Sequence, residues 1–178
     1  MTRTLAFLAP LVLVACASAA EPASSPVASP IDTLRAGGTF GFVLGESDPG
    51  KRLQAKCATD HPGDAAGAAA CYDAVKVEAD REGIRFALDA QGRLVWTSYG
   101  AEDGKPVSYV EGPLEPSLDP DGSIHAKPLE RPHGLQVDAK DFPVDAVLRF
   151  QVIDADTVVM PDPHKGKLVF RRRPVEGG

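Results

Sequence analysis

The alternation of apolar and polar positions changes period several times along the chain, and each change marks an element. Thr39–Leu44 places Phe40, Phe42 and Leu44 on one face, the period-two pattern of a half-buried strand. Helical signals follow at once. Ser47, Asp48 and Pro49 supply cap candidates and a first-turn proline, which predicts a short helix to about Ala58 that stops before His61-Pro62-Gly63. Asp64 can cap a second helix, on which Ala68, Cys71, Tyr72, Val75 and Ala79 recur at spacings of three or four, and Gly83 is expected to end it. Ile84, Phe86 and Leu88 then alternate, Asp89–Gly92 reads as a turn, and Arg93–Tyr99 returns as the second arm of a hairpin. Another strand is expected over Val107–Val110. The proline-rich stretch from Gly112 to Pro143 predicts only short edge strands, near Ile124 and Leu135. Val147–Ile153 carries Leu148, Phe150 and Val152 on one face, and Thr157–Met160 and Lys167–Arg171 complete the pattern.

These elements predict an α+β fold: an antiparallel β-meander or small barrel of about six to eight strands with an N-terminal helical hairpin inserted early. The closing run of strand, Asp-Ala-Asp turn, strand, proline-rich turn and strand is similar to the lipocalin-like small barrels of bacterial envelope proteins. If the sheet closes, a few of the aromatics Phe40, Phe42, Phe86, Trp96, Tyr99, Tyr109, Phe150 and Phe170 are available to line an apolar pocket, the rest forming core.

The first residues follow a different logic. One basic side chain, Arg3, precedes the apolar run Leu5–Val14, which is too short to span a bilayer that requires roughly 20 apolar residues. Leu13-Val14-Ala15-Cys16 resembles the lipobox of bacterial lipoproteins. That resemblance implies removal of residues 1–15, a diacylglycerol thioether on Cys16 and attachment to a membrane. Two or three acyl chains anchor stably, at about 0.8 kcal/mol per buried methylene. Ala17 stands where the enterobacterial sorting pattern places an inner-membrane retention aspartate, so the resemblance implies the outer membrane, with the domain in the periplasm. Ordinary secretion after Ala17-Ser18-Ala19 is the alternative. Residues 16–33, with Pro22, Pro26 and Pro30 among small side chains, are expected to be a tether, and residues 34–178 a single globular domain.

Composition narrows the function. Lys and Arg number 19 against 25 Asp and Glu, a net charge of -6 that disfavours phosphate-neutralising nucleic-acid binding. In an oxidising envelope Cys57 and Cys71 are expected to form a disulfide closing the helical hairpin; a zinc site using both with His61 is the weaker alternative, for want of a fourth ligand.

Gly45–Arg52 matches G-x-x-x-x-G-K and resembles the Walker A phosphate loop, but Arg52 replaces the metal-binding hydroxyl and Pro49 removes a backbone donor. A strand-to-helix turn accounts for it. His61, His125, His133 and His164 have no metal-ligand spacing and are expected in exposed loops; Asp119–Gly122 and Asp154–Asp156 read as turns. Arg171, Arg172 and Arg173 form the one basic cluster, which reads either as a contact for anions or as a solvated strand end. No cofactor or metal is expected. These readings lead to a non-catalytic, membrane-anchored lipoprotein that binds or scaffolds another envelope component. The alternatives are a lipocalin-like carrier of a small apolar ligand and a cell-envelope hydrolase.

Overall fold

The computed structural model describes residues 29–102, 105–134 and 147–174. Eight strands run Gly38–Phe42 (β1), Gly83–Leu88 (β2), Leu94–Glu102 (β3), Lys105–Leu118 (β4), Ile124–Pro128 (β5), Leu148–Asp154 (β6), Thr157–Asp162 (β7) and Gly166–Arg172 (β8). Each pairs antiparallel with its neighbour in sequence, and β1 pairs with β8 through Phe40–Arg172 and Phe42–Phe170, closing a barrel. Closure removes the exposed sheet edges that an open meander of these strands would carry. The expected α+β small barrel is therefore the observed one.

Helices Asp48–Asp60 (α2) and Ala65–Ala79 (α3) form the early insert, between β1 and β2. Asp64 caps α3, accepting from the Gly67 N–H at 2.9 Å. Cys57 and Cys71 are bonded as a disulfide with Cα atoms 5.8 Å apart. Their sulfurs are thus spent on each other, and His61 gains no zinc partners from them. The phosphate-loop look-alike is a short 3-10 turn, Leu44–Glu46, running into α2. Its second glycine has a packing reason, since a Cβ on Gly50 would lie 1.8 Å from the Leu44 carbonyl oxygen. Ser47 is fully buried there, donating to the Val43 carbonyl at 2.8 Å and accepting from the Val169 N–H at 2.9 Å, which ties the start of α2 to β8.

Three expectations need correction. Helix Pro30–Arg35 (α1), capped by Ser29 and started by Pro30, crosses the expected tether boundary at residue 33, so the folded body begins earlier. Its Leu34 is fully buried and Ile31, one turn earlier, packs against the same core, so two apolar side chains recruit a segment whose composition alone predicts disorder. Gly83 does not end α3; that helix ends at Ala79, and Gly83 opens β2 opposite Tyr99. Finally, β4 is a long strand running through Pro113 and Pro116, where only short edge strands were expected. Pro113 turns its carbonyl to the Leu129 N–H, beyond the end of β5, and Pro116 lies past Leu114, the last residue paired with β3. Neither missing N–H interrupts a continuing ladder. The edge strand near Ile124 is β5; the one near Leu135 lies outside the described residues.

Inside the barrel, Phe40, Phe86, Phe150, Leu94, Leu114 and Ile124 are buried, joined by Leu34 from α1. Helix α1 packs across β2, β4 and β6 and plugs this end. Arg172 reinforces the plug, with its guanidinium 4.6 Å from the Phe40 ring centroid and donating to the carbonyls of Gly37 and Ala155. The opposite end, bordered by Pro49 of α2, Glu82 and the β7–β8 turn, is open.

Candidate functional site

A cavity of about 440 Å³ descends into the barrel from that open end. Alternate residues of successive strands face inward, so the period that made the strands legible also makes the cavity walls apolar. Phe42, Ile84, Val110, Met160, Leu168 and Phe170 supply them. Register places them together: Met160 pairs with Leu168, Phe42 with Phe170, and Ser98 with both Ile84 and Val110. Ser98 leaves room between them, presenting only a small hydroxyl opposite Ile84 and Val110, while Gly83 admits the Tyr99 ring, whose hydroxyl would lie 2.3 Å from a Cβ there.

Trp96 forms part of the floor and is buried. Its indole N–H has no hydrogen-bond acceptor among the described residues. An unpaired buried donor costs about 1–3 kcal/mol, so this tryptophan is held by its packing. Below it the three phenylalanines fill the barrel to α1, so the void stops at mid-height.

The mouth is polar. Glu82, Tyr99, Tyr109, Asp162 and Lys165 border it, with Pro49 of α2 at one side. The Tyr109 hydroxyl donates to the Ala101 carbonyl at 3.2 Å, fixing that ring at the rim. Asp162 is committed to the β7–β8 turn, where one carboxylate oxygen accepts from the N–H groups of His164 and Lys165 at 2.8 and 2.7 Å. Glu82 differs. Its outer side meets solvent, yet the surrounding protein desolvates the carboxyl and raises its pKa above the ordinary glutamate value; Lys165 opposes the shift and Glu78 adds to it. Its carboxylate has neither a hydrogen bond nor an ion pair among the described residues. Burial also raises the Tyr99 pKa, against the lowering influence of Arg173 and Arg85.

The basic cluster is employed in fastening the barrel. Arg171 meets Glu46 through two hydrogen bonds at 3.1 and 2.9 Å, lowering the Glu46 pKa. Arg172 serves the plug described above. Arg173 donates to the backbone carbonyls of Asp80 and Glu82 and lies 5.8 Å from the centroid of Tyr99. Their guanidinium donors are turned to protein acceptors, on both ends of the molecule, and do not converge on one anion.

Of the other candidate residues, Cys16 lies outside the described residues. Histidine placement needs one change: His125 stands within β5, not in a loop, with Nε2 2.9 Å from an Asp119 carboxylate oxygen but outside hydrogen-bonding alignment. Asp121 and Asp154 accept from the N–H groups of Ser123 and Asp156, both two residues on, as turn aspartates do. Among the described residues no group of three His, Cys, Asp or Glu side chains is placed to hold a metal ion, and no helix is long and apolar enough to cross a membrane. Glu82 was missed in the sequence because it sits at a helix-to-strand junction with no local pattern to distinguish it from a solvated residue. Comparison with known families, curated proteins and solved structures finds no match for this chain.

Proposed function

We propose that this chain is a lipid-anchored carrier of the bacterial envelope, non-catalytic, whose barrel takes a small and mostly apolar ligand through its open end. The observation that carries the reading is the apolar cavity of about 440 Å³ above a buried tryptophan. Such volumes fall within the roughly 300–1,000 Å³ of small-molecule sites. A barrel that only scaffolded another protein would gain from filling that space, since core voids forfeit packing. The plug at the α1 end supports entry from one side. Attachment rests on Leu13-Val14-Ala15-Cys16 and the proline-rich stretch that follows it.

The test is extraction from cells in mild detergent followed by native mass measurement. The expected spectrum shows the lipidated chain with one additional small species, and the emptied protein takes up a neutral hydrophobic dye at one site. No bound mass and no dye uptake would overturn the carrier reading. Replacing Cys16→Ser is expected to move the protein from the membrane to the soluble fraction; unchanged fractionation would overturn the anchor and leave the cavity reading intact.

A further inference from the structure

We infer that the ligand is a cationic amphiphile, an apolar chain of about ten to twelve atoms ending in an ammonium group, held tail-down in the barrel with its charge against Glu82. This inference rests on the carrier reading and adds the chemistry of the ligand. Three observations on the cavity carry it.

The first is length. Phe86 pairs with Trp96 at the floor, and Glu82 lies four residues up the same strand direction, about 13 Å away at roughly 3.3 Å per residue. An extended alkyl chain with C–C bonds of about 1.5 Å advances roughly 1.25 Å per bond, so about ten to twelve atoms bridge floor to rim. The second is the wall: aromatic and aliphatic side chains line the shaft, with the Ser98 hydroxyl among them and those of Tyr99 and Tyr109 at the rim, which suits an unbranched hydrocarbon better than a polyol or a peptide.

The third is the charge arrangement at the mouth. Glu82 presents a carboxylate that no described residue pairs, beside the rings of Tyr99 and Tyr109. A carboxylate among aromatic faces attracts an ammonium by charge and by the ring quadrupole together. The other charged groups do not reverse this. Asp162, though tied to its turn, adds negative potential; Glu78 on α3 adds more; Lys165 opposes, as do Arg85 and Arg173 beside Tyr99. Arg173 is occupied by the carbonyls of Asp80 and Glu82, and Lys165 is a solvent-exposed side chain in the β7–β8 turn. An anionic head group would have to displace or overcome the partly desolvated Glu82 carboxylate.

The experiment titrates delipidated protein with decylamine, decan-1-ol and decanoate below their micellar concentrations, by calorimetry at neutral pH. The expected order is decylamine first, about five- to tenfold tighter than decan-1-ol, with decanoate weakest, the ratio being that of one partly screened ion pair. Glu82→Gln is expected to bring the amine's affinity down to that of the alcohol measured on the same variant, and Lys165→Gln to widen the gap. Acidification through the raised Glu82 pKa is expected to erase the amine preference, because the protonated carboxyl has lost its charge. Equal affinities in the wild type, or a preference for decanoate, would overturn the cationic assignment while sparing the carrier reading. Failure of all three to bind would overturn both.

Discussion

Truncation of Phe86 to alanine is expected to cost about 3–5 kcal/mol, read as a lowered denaturant midpoint, because the ring is the central member of the plug beneath the cavity. Phe86 meets Phe40 edge-to-face at 6.0 Å and Phe150 at 5.3 Å, so one side chain of β2 joins the β1 and β6 sides of the barrel. All three are essentially inaccessible to solvent. Each aromatic pair adds about 0.5–1.5 kcal/mol to the burial term. Against a total stability of roughly 5–15 kcal/mol, the loss leaves a protein near its threshold. Phe86→Leu keeps most of the volume and is expected to lose less than half as much. A Phe86→Ala variant within about 1 kcal/mol of wild type would mean that the lower barrel is loosely packed and that no solid floor bounds the cavity.

Removal of the disulfide, as Cys57→Ala with Cys71→Ala, has the next largest expected effect, about 3 kcal/mol for a loop of this size in the chain-entropy account. Its distribution over the molecule is the sharper prediction. The start of α2 is fastened independently: Ser47 bridges to β8, Asp48 accepts from the Lys167 N–H at 2.8 Å, and Arg52 donates to the Lys165 carbonyl at 2.6 Å. Among the described residues α3 has such a tie only at its C-terminal cap, where Arg173 donates to the Asp80 carbonyl. It packs chiefly on α2, and Ala79 is its one buried residue. Hydrogen exchange should therefore accelerate across residues 65–79 while the amides of β7 and β8 keep their protection. Because Glu82 lies three residues beyond the end of α3, a freed helix also unsettles the carboxylate at the cavity mouth. Unchanged exchange in α3 would contradict the view that the disulfide is its main attachment.

Local period carried much of this architecture in the sequence. The run Phe40-Gly41-Phe42, the hairpin around Asp89–Gly92 and the alternation Leu148-Arg149-Phe150 each signal a strand whose buried face can be named in advance, and the helical insert followed from caps and spacing at Asp64–Ala79. What local pattern does not contain is pairing between distant segments. The β1–β8 closure joins Phe42 to Phe170, and no short-range feature distinguishes a closed barrel from an open meander. Prolines misled for a related reason: whether Pro113 breaks a ladder depends on where β5 ends, a tertiary fact. Helix α1 was hidden by its composition, since the two apolar side chains it packs on the barrel, Ile31 and Leu34, are too few among prolines and small residues to set a period. The site divides the same way. Trp96 and the phenylalanines were visible as large inward candidates, whereas the room above Trp96 depends on which side chains meet across the strands, and the importance of Glu82 on what surrounds it in space.

Trp96 is the single tryptophan in the chain, so it reports on the cavity without a label. The most direct measurement is its emission during titration with decan-1-ol, a neutral ligand, in the wild type and in Val110→Phe, which fills part of the shaft. The account predicts a saturable shift in emission at one equivalent for the wild type, and at least a tenfold loss of affinity in Val110→Phe at similar thermal stability. An emission spectrum that never responds, or a response that survives the filled cavity unchanged, would contradict it.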